Sequence, residues 1–445
     1  MPKSSWNPLA KWVFLQKGVM TYSLREALLL LPAIVATVNG FLFAIRKGSD
    51  SWMATDWYIS NEFGFVRRGL LGGLLRQVSG HMGAVDINIF AFSITTLALL
   101  IVSVITVFCS RNLPYISRLA LVFSPAFYTL FVLLDPNAGG RKEVLSILLI
   151  VSYALSQKLR GWCKNLIGIF LIVVALPAIT LIHESNLLFS APILLFMFMI
   201  NFVSENHFGS LRRYRREFVM ALVRSFFLLT PGFIAFFFAY LYSKPDLIVV
   251  QGICLSWQPI VSDLSCNPLP AALGALASQY GYLERIKFAF IGPQIYVQIA
   301  YSILYIFLVI NAFCCPVVVQ KTESSNSYIE RTKVRFCVFL LAIISFSISI
   351  PLYVLAIDYG RWYSTTVTLL VVTCVICRER IASAAILLPD DLFKRRLNVF
   401  PDLDAKLASL LLIFGSSICT VPHCCVKLWE FTSIARGAVR VLSGS

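Results

Sequence analysis

Apolar residues run along this chain in stretches of the length that crosses a bilayer, divided by short polar breaks. A spanning helix needs about 20 mainly apolar residues, and only helices or closed barrels satisfy every backbone polar group inside the hydrocarbon. The pattern predicts spans at about 27 to 45, 88 to 109, 119 to 134, 144 to 157, 165 to 182 and 186 to 204. It continues with 218 to 242, 294 to 316, 336 to 357, 363 to 377 and 406 to 422. The segments beginning at 144 and 363 hold only about 14 or 15 residues, a length that fits a re-entrant pair or a thinned region of bilayer. The fold class expected is all-α: a polytopic integral membrane protein of about eleven transmembrane helices. It forms a single transmembrane domain over 1–445, with outer loops at about 46–87 and 243–293 capping a cavity.

Composition narrows the picture to a membrane. With 58% hydrophobic and 13% charged residues and a mean hydropathy of +0.80, the chain is too apolar for a soluble globular domain. The first apolar run starts near Ala27 behind a basic lead without a small-residue cleavage site, so it reads as a retained helix and not a signal peptide. Lys and Arg residues fix the orientation, because positive residues stay cytoplasmic. With the amino terminus inside, cytoplasmic segments hold 22 of them and outer segments 14.

The net charge of +16 raises the question of nucleic acid. The strongest basic run, LRRYRRE at 211–217, falls in a short cytoplasmic loop, where orientation and anionic lipid account for it, and no nucleic-acid partner is expected. Most of the twelve cysteines lie within spans as small apolar side chains. Cys254 and Cys266 share the longest outer loop, where an oxidising compartment allows a disulfide. His423, Cys424 and Cys425 make a poor metal site, and no metal or cofactor is expected.

Four polar clusters stand out, and under this topology all fall at the same membrane face. The first, DWYISNEFGFVRRGLLGGLLRQ from Asp56 to Gln77, mixes Asp56 and Glu62 with aromatics and the pair Arg67 and Arg68. Its portion from Phe65 to Leu75 is expected to form a short amphipathic helix along the interface, with the arginines at its start and glycines that let a head group approach. The plainer reading is a helix that only anchors the loop. The second, DPNAGGRKE from Asp135 to Glu143, is a turn by its Pro, Asn and Gly content. Arg141, Lys142 and Glu143 then enter a span from outside, against the positive-inside bias, which points to an acidic or phosphate partner. The third is His183 and Glu184 at a helix break with almost no loop; two helical neighbours point apart, so each needs its own partner. The fourth, DYGRWYS from Asp358 to Ser364, places Asp358 and Arg361 three apart, within reach of a plain interfacial salt bridge among belt aromatics.

Together these are acids, one base and cations suited to an anion. Arg presents a planar fork that fits phosphate oxygens, so Arg67, Arg68, Arg141 and Arg361, with Glu62 nearby, form the candidate substrate-binding set. His183, Glu184, Asp56 and Asp358 form the candidate catalytic set, able to deprotonate an acceptor hydroxyl. In glycosyl transfer from a phosphate-linked sugar, one base and a cationic clamp suffice without a metal.

In length, span number and outward-facing Arg and acidic loops, the chain resembles the O-antigen polymerases of bacterial envelope polysaccharide assembly. The resemblance is architectural and covers most of the chain. It implies a bacterial inner-membrane, multi-pass protein with a cytoplasmic amino terminus and a periplasm-facing cavity. Its reaction would join undecaprenyl-diphosphate-linked oligosaccharide repeats. Arg67, Arg68 and Arg361 would then hold the donor diphosphate, and His183 or an acidic neighbour would activate the acceptor hydroxyl. Implied partners are membrane lipid, the lipid-linked oligosaccharide and other envelope glycan assembly proteins. More distantly the chain resembles the GT-C superfamily of polyprenyl-phosphate-dependent glycosyltransferases, where Asp56 would take the place of the acidic residue of the first outer loop; a paired acidic motif there and a sizeable soluble domain are lacking. A transporter or flippase of lipid-linked glycans is the competing class, but its charges belong at mid-membrane, and breaks such as Pro125, Pro177 and Pro231 are few.

Overall fold

The structure is a computed structural model, and it describes residues 24–47, 52–78, 84–123, 141–205, 211–261, 263–277, 303–314, 327–355, 359–388 and 403–418. Expectations for Asp135, Asp358, and His423 with Cys424 and Cys425 lie outside the described residues. Among the described residues the chain is helical with no strand. In chain order the helices are α1 (Leu24–Lys47), α2 (Trp52–Tyr58), α3 (Gly69–Val78), α4 (Ala84–Cys109), α5 (Tyr115–Phe123) and α6 (Val144–Ser156). They continue with α7 (Trp162–Ile182), α8 (Ser185–Glu205), α9 (Leu211–Leu241), α10 (Leu247–Trp257), α11 (Ala271–Ala277), α12 (Ile303–Phe313), α13 (Ser327–Leu355), α14 (Tyr359–Ile386) and α15 (Ala405–Ile418).

Five of these are long and apolar enough to cross a membrane: Phe92–Cys109 of α4, Trp162–Ile182 of α7, Ser185–Val203 of α8, Arg216–Leu241 of α9 and Thr332–Ile350 of α13. Their burial sorts them. The α8 stretch is 72% buried whereas those of α7 and α9 are 28% buried, so α8 is central and the other two turn an apolar face outward. Phe227, Phe237 and Phe170 are among the exposed side chains on those faces, a pattern suited to lipid as solvent. Around α8 the main core gathers α6, α13 and α14, with residues such as Ile147, Ile150, Leu187, Leu194, Leu341 and Leu370 buried together. Within α7 a π turn at Leu171–Ala175 precedes Pro177. Proline brings no N–H to the carbonyl a turn earlier, and a widened turn absorbs the gap.

Two sequence expectations need correcting. The segment at 363 is short only as an apolar stretch: its helix, α14, runs 28 residues and carries on through Arg378, Glu379 and Arg380. The LRRYRRE run is not a loop but the first turns of α9. In both places the polar residues are good helix formers, so the helix continues past the apolar stretch with nothing to stop it.

A second, smaller core lies beside the bundle. The loop after α1 and the loop after α9 fold together, burying Trp57, Tyr58, Val66 and Leu75 against Ile253, Trp257, Leu273 and Leu276. The Trp257 indole N–H donates to the Tyr58 carbonyl oxygen at 2.8 Å, and their rings stack at 4.9 Å. The Ala272 N–H donates to Thr55 Oγ at 3.0 Å, and a disulfide joins Cys254 to Cys266. The two loops thus make one cap.

Candidate functional site

Helix α3 begins at Gly69, so Arg67 and Arg68 lie in the turn before it and not in its first turn. That turn is built by Asn61, whose Oδ1 accepts the Val66 N–H at 3.1 Å, and by Gly64 at a φ of 121° that favours glycine. Arg68 itself sits at a φ of 67°, outside any helix. The glycines expected to admit a head group are used inside the cap instead. A Cβ on Gly72 would stand 2.0 Å from the Ile59 carbonyl oxygen and one on Gly69 would stand 2.0 Å from Asn61 Oδ1, so the first lets α3 lie against the 57–59 backbone and the second leaves room for the Asn61 side chain.

Three of the four polar clusters meet at one end of the bundle, beneath this cap. Asp56 comes from α2, Arg67 and Arg68 from the following turn, Arg141, Lys142 and Glu143 from the lead into α6, and His183 and Glu184 from the break between α7 and α8. Lys142 Nζ lies 3.6 Å from Asp56 Oδ2 and donates to the Asp56 carbonyl oxygen at 2.7 Å. Arg68 Nη1 is 3.6 Å from Asp56 Oδ1, while its Nε and Nη2 donate to Glu184 at 2.9 and 2.6 Å. Arg67 Nη1 donates to the same carboxylate at 3.3 Å. Arg141 lies over the Trp52 ring at 5.3 Å.

His183 faces the other side of the cluster. Its Nδ1 accepts the Ser185 backbone N–H at 3.3 Å, with Ser185 Oγ at 2.7 Å, and its Nε2 is 3.4 Å from Glu143 Oε1. Since Nδ1 accepts, a neutral ring carries its proton on Nε2, toward Glu143. A Glu143, His183, Ser185 row results, and it also caps the start of α8. Glu184 and His183 do serve different partners, though Glu184 Oε2 remains 3.9 Å from Nδ1.

The fourth cluster contributes through Trp362, whose ring is 6.2 Å from that of His183 and 5.4 Å from that of Phe189. Arg361 lies in the first turn of α14, with only its backbone described, and Asp358 lies outside the described residues. Glu62 does not join the cluster; it pairs with Arg76 at 3.3 Å within the cap. Lys142, Glu143 and Ser185 were not in the candidate set. The signal for the first two was their place directly before an uninterrupted apolar helix; nothing local marks Ser185.

Burial and neighbours set the protonation states. Burial pushes the His183 imidazole down, with help from the Arg68 charge and against Glu143, Glu184 and Asp56, to about 4. Burial alone would raise Asp56, but Lys142 and Arg68 hold its carboxyl well below the usual range. Burial likewise opposes ionisation of Glu184, and Arg68, His183 and Arg67 overcome it. Lys142 is pulled down by burial against the attraction of Asp56. At neutral pH the arrangement is therefore a neutral imidazole within a network of paired charges.

An all-α chain with helices built for a membrane, carrying a buried charge cluster where three distant segments meet, is the class that fold and geometry define. Comparison with protein-family models, with curated proteins and with solved structures returns no match for this chain.

Proposed function

We propose that this chain is a bacterial inner-membrane glycosyltransferase of envelope polysaccharide assembly, polymerising undecaprenyl-diphosphate-linked oligosaccharide repeats at the periplasmic face. The observation that carries the reading is the meeting of Arg67, Arg68, Lys142, Asp56, Glu143, His183 and Glu184 in one cluster at the end of the helices. Buried ionisable groups at a membrane protein's surface end are costly and mark chemistry before packing. Proposed with it is a topology of about eleven spans with the amino terminus cytoplasmic and the capped cavity facing the periplasm. The disulfide in the cap supports that orientation, because such bonds persist in oxidising compartments.

In the proposed reaction the acceptor hydroxyl oxygen attacks the donor's anomeric carbon, and the bond from that carbon to the diphosphate oxygen breaks. The guanidinium groups of Arg67 and Arg68, with Arg141 and Arg361 from neighbouring segments, receive the departing charge. The hydroxyl proton passes to His183 or to an acidic neighbour among Glu184, Asp56 and Asp358. His183 is neutral at pH 7, so its ring has one unprotonated nitrogen that can take a proton, and Glu143 stands where it would stabilise the imidazolium. Charges placed at the ends of the spans, not at mid-membrane, favour a transferase over a transporter.

The test is the surface glycan profile of the source bacterium with this gene deleted and with Arg68 or His183 replaced by alanine. The expected result is loss of the long ladder with a single repeat remaining on the lipid core. Loss of every repeat would point to an earlier transferase or a flippase, and an unchanged profile in the deletion would end the envelope-glycan reading.

A further inference from the structure

The members of the cluster differ in access. Side-chain exposure is 22% for Arg67, 18% for Arg68 and 19% for Glu184, whereas it is 2% for Asp56, 0% for Lys142, 0% for Glu143 and 1% for His183. A ligand arriving from solvent or lipid meets the two arginines and Glu184 first. Those arginines already hold an anion: Arg68 Nε and Nη2 grip both oxygens of Glu184 at 2.9 and 2.6 Å, and Arg67 adds a third donor at 3.3 Å. The same fork fits two oxygens of a phosphate.

The two partners also come from different bodies. Arg67 and Arg68 belong to the cap, where the Arg67 N–H donates to the Tyr242 carbonyl oxygen at 3.4 Å and the Phe65 ring meets Tyr242 at 5.1 Å. Arg68 is further fixed by its left-handed φ of 67°, a conformation that its surroundings must hold in place. Glu184 sits at the break between α7 and α8, so a turn of one side chain would free the fork without moving the arginines.

Resting on the proposed role of this pair as a phosphate clamp, we infer that Glu184 is a resident stand-in for the substrate anion: it fills the Arg67–Arg68 fork at rest and is displaced by a phosphate or diphosphate group. The exchange keeps the cations compensated, because one anion replaces another while Asp56 stays beside Arg68 at 3.6 Å. The carboxylate guards the fork against adventitious anions and sets a threshold that only a more highly charged or better-placed anion passes.

The experiment titrates inorganic pyrophosphate against the full chain in detergent micelles and in phosphatidylglycerol-containing nanodiscs, following binding by calorimetry. E184Q should bind about tenfold more tightly than the wild type, the factor for a fork left open in about one molecule in ten. R68K combined with E184Q should cancel the gain. A wild type that binds and loses binding in R68K, with E184Q no tighter, overturns the stand-in and leaves the phosphate clamp standing. Failure of wild type and E184Q alike to bind removes the clamp and the stand-in together. If E184Q does not fold, E184D replaces it: the shortened carboxylate should loosen its hold and raise affinity about threefold, and an unchanged or lower affinity overturns the proposal. Weaker pyrophosphate binding in nanodiscs than in micelles identifies ordinary phospholipid phosphate as a competitor for the opened fork, and equal binding leaves the fork to a diphosphate donor.

Discussion

The two ends of the helix bundle treat their cations differently. Helices α6, α8 and α14 each start at the charge cluster and finish at the opposite end, where Arg380 of α14 donates to Asn201 Oδ1 at 2.5 Å and to the Gln157 carbonyl oxygen. There too Lys333 donates to the carbonyl oxygens of Ile386 and Leu388 at 3.3 and 2.5 Å, closing the end of α14. A carboxylate pair, Arg118 with Glu26 at 2.5 Å, joins α5 to α1. At the cluster, by contrast, Lys142, Arg67 and Arg68 all face carboxylates, Lys142 while also donating to the Asp56 carbonyl oxygen. Backbone carbonyls such as those of Gln157, Ile386 and Leu388 are fixed partners and serve a helix terminus. Carboxylate partners are charged side chains that another anion can replace. The first arrangement suits structure, the second exchange.

That contrast is sharpest at the two buried lysines. K142M would leave Asp56 in a low-dielectric site without one of the two cations 3.6 Å from its carboxylate, at a cost of roughly 3–5 kcal/mol. The expected result is loss of monodisperse protein after detergent extraction. K333M takes their donor from the Ile386 and Leu388 carbonyls, at about 1–3 kcal/mol, and should still give folded protein with a lowered melting temperature. Equal losses in the two variants would erase the distinction between the ends.

Acid should strike the cluster before the opposite end. The unfolded chain takes up a proton on His183 near 6.5, while the folded protein refuses it until about 4. The unfolded state therefore binds more protons in that window, and stability should fall as the pH drops through it, by an amount on the order of 3 kcal/mol. Asp56 and Glu184, both held low, add to the loss at more acid pH. Melting temperatures across this range should flatten in H183Q; a slope unchanged by that substitution would assign acid lability elsewhere.

R380Q, which removes a donor to Asn201 and to Gln157, should cost roughly 1–3 kcal/mol and leave the glycan ladder intact in cells that retain the protein. The smallest effect is expected from E62Q. Its pair with Arg76 is part exposed, at 35% for the Glu62 side chain, and such pairs contribute about 0–1 kcal/mol. An E62Q strain with a collapsed ladder would return Glu62 to the site from which the geometry separates it.

Much of the architecture was legible because hydrophobic length is a local property. The stretches read at 88 to 109, 165 to 182, 186 to 204, 218 to 242 and 336 to 357 correspond to the five long apolar helices. Helix ends were less legible, since Arg and Glu neither forbid nor demand a helix, and α9 and α14 run on into polar sequence. At the cluster, residue types gave the inventory but not the pairing. Asp56, Lys142 and Glu184 are distant in the chain, and no local pattern says that Lys142 meets Asp56 or that Arg68 reaches Glu184.

By itself the sequence determined that apolar stretches must be helical and that polar clusters must sit where those stretches end, because an unpaired backbone or charge in hydrocarbon is too costly. Only the tertiary structure decided which charges neutralise one another, which glycines are spent on the cap, and which side chains of the cluster remain within reach. Those depend on how α2, α3, α6, α7 and α8 converge, and pairing between distant segments follows packing and not periodicity.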